Sequence, residues 1–381
     1  MKSRKTWLSW TALTTIALLL FQSGCSKQPA KDQNPNGTVR LVSWGGQFEQ
    51  DLLKMWVEPA ATQAGIKLEA GSWDGEYGAL STRIQRGIND WDLVHVEDHY
   101  ISSPDAPKIF EVFANREIST IRDPNLRAKT AVAVPLLQYA YVLAYFTNNS
   151  ELRELLQKKS KKTPDWEDFW NVSSVPGRRG LRDFPVGNIE IALASMQLNL
   201  ADSLYNTNLS RADLEKTVEK AFQRLDAIQQ HVLWWASGDK LQKSLTSGEV
   251  AMAAAWSGRV RSAHSELCGT NLDCALDVSE STALVATDWW IIPKGAAHAE
   301  SANRLLLTMF TDKDAANWAG AFSTKQAYAV QINTQIADPV AKKYLDLNSS
   351  NPNILMRISD EFWGNNYDWI SRKWTTWRAS H

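Results

Sequence analysis

Cysteine is scarce, with three residues in 381, so there is no second Cys pair to build a metal or redox site. The usual catalytic signatures are missing as well. GxSxG, HExxH, the P-loop and GxGxxG do not occur, which removes the markers of nucleophile-elbow hydrolases, zincins and nucleotide enzymes. Ser237-Gly-Asp-Lys240 matches S-x-x-K without its SDN and KTG companions, a match loose enough to arise by chance. Neither an enzyme nor a cofactor is expected. A dominant charge is also lacking. The chain carries −1 in all and its first 24 residues carry +3, leaving −4 for the rest, which weighs against nucleic acid and suits cationic ligands. The mostly apolar stretch at residues 7–21 is too short to cross a bilayer comfortably.

That stretch has another use. Lys2, Arg4 and Lys5 precede it and Gln22-Ser-Gly-Cys25 follows it, the layout of an export signal. The ending resembles the lipobox of bacterial lipoproteins, which implies cleavage before Cys25 and a lipid on that cysteine; Gln22 departs from the Leu preferred there. The expected location is therefore outside the cytoplasm, periplasmic or on the cell surface, held to the membrane by lipid alone. Residues 26–37 have no large apolar side chain and read as a disordered tether, reaching roughly 40 Å when extended. Cys268 and Cys274, the remaining even pair in an exported protein, are expected to form a local disulfide.

What the chain has in excess is tryptophan, 18 residues of it, the kind of rigid amphipathic ring common at ligand clefts. The most telling stretch is 283–295, ALVATDWWIIPKG, which reads as a buried strand with Asp288 set inside it. A buried carboxylate needs a partner. An internal Arg or Lys, or a backbone turn, would serve. So would an organic ammonium group, given Trp289 and Trp290 beside it and Trp256 at the end of another apolar run.

Strand, turn and helix alternate from residue 38 onward. Strands are predicted at 38–43, 66–70 and 92–96 and helices at 48–64 and 77–87, with Pro59 kinking or shortening the first helix. This is an α/β pattern with a parallel sheet, in which ligands sit beyond the carboxyl ends of strands. Trp44, Trp73-Asp74 and Glu97-Asp98-His99 fall at such ends. In His95-Val-Glu-Asp-His99 the alternate residues share a face with metal-binding side chains, but no fourth ligand is identifiable and no metal is expected. The favoured reading turns His95 into the sheet and leaves Glu97, Asp98 and His99 to line a cleft. Further on, 132–135 and 139–146 form an apolar block, and the lysine run 158–162 reads as a solvated turn. A helix at 210–230 is N-capped by Ser210, strands follow at 232–235 and 250–256, and Ser257-Gly258 turns out of the last. Helices are expected at 299–310, 311–321 and 354–377.

The segments VRLVSWGGQFEQ, WDLVHVEDHYI, VPLLQYAYVLAYFT, LTSGEVAMAAAWSGR and TDWWIIPKGAAHAESANRLL, in this order and spacing, resemble the bacterial extracellular solute-binding proteins of ABC importers, in their spermidine/putrescine group. The resemblance spans nearly all of 38–377. It implies a two-lobed periplasmic-binding-protein fold of type II with the ligand cleft between the lobes, one lobe from 38–142 and 289–335 and the other from 143–288 and 336–381. It also implies a monomer that captures a polyamine-like cation and hands it to permease subunits. Asp288 would receive an amine, Trp44 and Trp256 would stack on the alkyl chain, Tyr328 would stand beside them, and Glu97, Asp98 or His99 would hold the far end. Asp183 would substitute for a missing carboxylate. The alternatives are another small solute in the same fold, such as an amino acid, phosphonate or metal ion, or a surface lipoprotein without transport.

Overall fold

The computed structural model describes residues 37–88, 90–112, 118–279, 283–349 and 356–380. The export signal expected at residues 1–24, the lipid on Cys25, the tether as far as residue 36 and the expected helix start at Ile354 lie outside the described residues.

Branched and aromatic runs become strands as their pattern requires: β1 Thr38–Ser43, β2 Lys67–Ser72, β3 Leu93–Glu97, β4 Val134–Phe146, β5 Arg179–Arg182, β6 Val232–Trp235, β7 Met252–Trp256, β8 Leu276–Val278, β9 Leu284–Ile291, β10 Ala329–Val330 and β11 Met356–Arg357. These described strands join in one mixed sheet, ordered β2-β1-β3-β9-β4-β7-β5-β6, with β8 and β10 also on β4 and β11 on β9. Its two ends are parallel, as expected: β1 with β2 and β3, and β5 with β6 and β7. Its middle is not. β9 runs antiparallel to both β3 and β4, and β4 runs antiparallel to β7. The two central strands come from distant parts of the chain, so no crossover helix imposes a common direction on them.

The apolar block expected from 132–135 and 139–146 becomes β4, one strand of 13 residues, with an irregularity in its pairing with β9 between Pro135 and Leu137. The lobe boundaries expected after 142 and 288 fall inside β4 and β9. Trp289 and Trp290 are fully buried and belong to the core, as do Trp56, Trp235 and Trp363. They are not cleft walls. In the antiparallel register Trp290 stands opposite His95, beneath which it packs.

Helical segments run from Gly46 to Ala64 without a break. Pro59 neither ends nor shortens them; Leu53–Val57 widens into a π-helical turn just before it, which accommodates the missing N–H. Ser210 caps the Arg211–Asp226 helix by accepting from the Asp213 N–H. The lysine run is not simply solvated. Lys159 and Lys161 donate to buried Asp168 at 2.6 and 3.0 Å, and Lys161 also reaches Asp165 at 2.6 Å, tying the run to the Trp166–Trp170 helix. Ser257-Gly258 opens a helix, Ser257–Cys268, instead of a turn, and Cys268 at its end is bonded to Cys274.

Candidate functional site

The ends of β1, β3, β5 and β7 and the middle of β9 converge on one small cavity of about 30 Å³. Trp44, Phe48, Leu137, Tyr139, Trp256 and Tyr328 form its largely apolar wall. Glu97, Arg182, Arg259 and Asp288 supply its charge.

Glu97 and Asp288 stand directly opposite each other on β3 and β9, so their side chains share a face, and two like charges there repel. Each has its own remedy. Glu97 takes a two-pronged bond from Arg182, at 2.7 and 3.3 Å, and another from the Tyr139 hydroxyl at 3.0 Å. Burial alone would raise its carboxyl; the Arg182 guanidinium more than offsets this and holds it below the usual carboxylate range. Arg182 is fixed in turn by the Tyr141 hydroxyl at 3.0 Å and lies over the rings of Phe184 and Trp256, 4.2 and 4.9 Å from their centres.

Asp288 is less fully met. Its Oδ2 accepts from the Trp44 indole at 3.0 Å and lies 3.0 Å from His95 Nε2, at ion-pair distance but off the line of a straight hydrogen bond. Its buried Oδ1 has no partner, which ordinarily costs about 1–3 kcal/mol. Burial, with a further push from Glu97, raises the Asp288 carboxyl, and His95 and Trp44 oppose that rise. The partner sought for Asp288 is thus partly internal, a histidine ring and an indole in place of the Arg or Lys considered.

Arg259 sits in the first turn of the Ser257–Cys268 helix, 2% exposed, with one nitrogen on Asp239 at 2.9 Å and its guanidinium 5.8 Å from the Phe48 ring centre. Gly238 makes room for it, since a Cβ there would lie 2.7 Å from Cζ. Two guanidinium groups and two carboxylates therefore face one small aromatic cavity. Such a site can hold a solute that carries both signs of charge.

Residues 47–343 match the model of the bacterial extracellular solute-binding protein family. The chain belongs to that family. This solute-binding protein is 22% identical over 360 residues to the gamma-aminobutyric acid-binding protein of Pseudomonas aeruginosa, covering 92% of this chain and 93% of the relative. It is 22% identical over 310 residues to spermidine/putrescine-binding periplasmic protein 1 of Haemophilus influenzae, covering 77% and 78%. Among solved structures, the binding protein AgtB of A. tumefaciens R10 in complex with agropinic acid aligns with a TM-score of 0.72 at 22% identity, covering 90% of this chain and 98% of that one. The fold is the two-lobed α/β fold of periplasmic binding proteins, and the protein is a binder, not an enzyme.

Five of the residues singled out in the sequence of the solute-binding protein line the cavity together: Trp44, Glu97, Trp256, Asp288 and Tyr328. Three do not. Asp98 accepts the Thr287 N–H at 2.7 Å and the Trp289 indole, pinning β9 from behind; burial and the charge of Asp360 push its carboxyl up to about 7. His99 stacks on Tyr367 at 4.5 Å and 26°, away from the cavity. Asp183 is gripped by two nitrogens of Arg378 at 2.8 and 3.0 Å. Neighbours on a strand face opposite ways, so Arg182 and not Asp183 reaches the cavity, and the chain turns into the Asp98–Ile101 helix after Glu97. Among the described residues no group of three His, Cys, Asp or Glu, the trio His95, Glu97 and His99 included, is placed to hold a metal ion. The sequence reading missed Phe48, Leu137, Tyr139, Arg182 and Arg259. Only Arg182, at the carboxyl end of a strand, carried a signal that could have found it.

Proposed function

We propose that this protein is the receptor of an ABC importer for a small amphoteric solute, one bearing an amine and a carboxylate, of the γ-aminobutyrate or opine kind. The observation that carries this reading is that an unpartnered Asp288 oxygen and the Arg259 guanidinium line the same aromatic cavity. The amine would go to Asp288 against the Trp44 face, and the carboxylate to Arg259. A polyamine, the solute first expected, has nothing to offer Arg259 and would bring more positive charge to a cavity that already holds two guanidiniums. The names of the relatives support the change: γ-aminobutyric acid and agropinic acid, with spermidine/putrescine on the shorter match. In this reading two lobes meet along β4 and β9 and close on the solute, because contacts from both sides favour the closed population. Export and a lipid on Cys25 would keep the receptor beside its permease.

Thermal shift and calorimetry with 4-aminobutyrate, putrescine and spermidine test the reading. A solute that binds only the folded state stabilises it by RT ln(1 + [L]/Kd), about 2.7 kcal/mol at a hundredfold excess over Kd. Stabilisation by 4-aminobutyrate and none by the amines is expected. Asp288→Asn should weaken 4-aminobutyrate by at least about tenfold, roughly 1.4 kcal/mol, without lowering the stability of the ligand-free protein, since it removes a desolvated charge. Stabilisation by putrescine alone would restore the polyamine.

A further inference from the structure

We infer that His95, backed by Ser43, is a positioning residue that aims Asp288 at the solute's amine. The probe chosen to test this rests on the amphoteric-solute reading; the geometry does not. β1, β3 and β9 are successive strands of the sheet, and they place Ser43, His95 and Asp288 in a row behind the cavity. Ser43 Oγ lies 2.9 Å from His95 Nδ1, and His95 Nε2 lies 3.0 Å from Asp288 Oδ2. Ser43 and His95 are fully buried, and His95 is not part of the cavity wall, so it acts through Asp288. The rings of Trp44, Phe48 and Trp290, at 5.2, 5.8 and 4.9 Å, hold the imidazole in place.

The consequence concerns which oxygen is left over. His95 and the Trp44 indole both address Oδ2, so the carboxylate cannot satisfy Oδ1 from its own fold, and Oδ1 is the oxygen with no partner. When Ser43 donates to Nδ1, the ring proton sits on Nε2 facing Asp288. A neutral imidazole in that tautomer orients the carboxylate without cancelling its charge. A purely structural role would need no polar ring here, for an apolar side chain among three aromatic neighbours would pack without burying two nitrogens.

The test is a double-mutant cycle on the full-length protein, reading the Kd for 4-aminobutyrate in wild type, His95→Leu, His95→Gln, Asp288→Asn and His95→Leu with Asp288→Asn. His95→Leu should weaken binding about tenfold, and His95→Gln, which keeps a donor, should recover most of that loss. In the Asp288→Asn background His95→Leu should cost little more. An unchanged Kd in His95→Leu, or an equal loss with and without Asp288, overturns the inference. Nitrogen-15 spectra of the ligand-free protein decide the matter independently, even if the Leu variant does not fold. They should show the His95 proton on Nε2 and a shift of that signal in Asp288→Asn; a proton on Nδ1 alone overturns the inference. Failure of wild type to bind 4-aminobutyrate would sink the solute reading only, and the spectra would still decide the role of His95.

Discussion

Arg182 shows how one side chain can hold a charged site together. It bonds both oxygens of Glu97 and the Tyr141 hydroxyl and is covered by two rings, so its charge is matched, oriented and shielded from water. Removing one partner of such a pair is costly because the other stays buried and unpaired. Arg182→Met should lower stability by about 3–5 kcal/mol in urea unfolding, and Arg182→Met with Glu97→Gln should recover a large part of it. Arg182→Lys should fall between, since an ammonium cannot make the two-pronged contact. A double variant no more stable than Arg182→Met would mean that Glu97 is not what the arginine supports. At this scale the sequence was legible in part. Acidic and aromatic residues at strand ends marked the right places, but which of two neighbours faces the cavity depends on the pleat, and the pleat is set by where pairing begins. Asp183 was therefore chosen where Arg182 acts.

Elements were legible where the signal is local. The alternation of 38–43, the apolar run of β9 and the Ser210 cap each declare themselves within a few residues. The insertion of β9 between β3 and β4 does not, because partners up to about 200 residues apart in the chain leave no mark on either strand alone. The Ser257–Cys268 helix was hidden for a related reason: Ser257-Gly258 looks like a turn unless one knows what lies against the glycine. A Cβ on Gly258 would meet the Tyr328 ring and come 2.6 Å from the Gln326 carbonyl oxygen. The glycine thus lets the helix that carries Arg259 dock beside Tyr328, and both line the cavity. Gly258→Ala should force these two walls apart, weakening 4-aminobutyrate by about tenfold or more while costing roughly 1–3 kcal/mol of stability. Paired calorimetry and thermal unfolding would check this; full affinity in the alanine variant would show that the contact relaxes without moving the wall.

For the molecule as a whole, His99 is the group whose protonation tells most about cohesion. Its ring is buried among Tyr77, Phe184 and Tyr367, three segments far apart in the chain, the last from the Asp360–Ala379 helix. Burial, opposed by the charge of Glu97, lowers its pKa to about 4 from an ordinary 6.5. Above pH 6.5 the ring is neutral in both folded and unfolded chains and pH has no purchase on it. As pH falls below 6.5 the unfolded chain takes up a proton that the folded protein refuses, so stability declines until the folded pKa near 4 is reached. The loss attributable to this one ring is about 3 kcal/mol by pH 4. His99→Phe keeps an aromatic ring in the stack and removes the titration. Urea unfolding of both proteins at pH 7.5, 5.5 and 4 should give a difference that is constant near neutrality and then moves in favour of the phenylalanine variant as the medium is acidified. Parallel profiles down to pH 4 would mean that His99 accepts its proton inside the fold, and that the Tyr77–Phe184–Tyr367 junction is open to water.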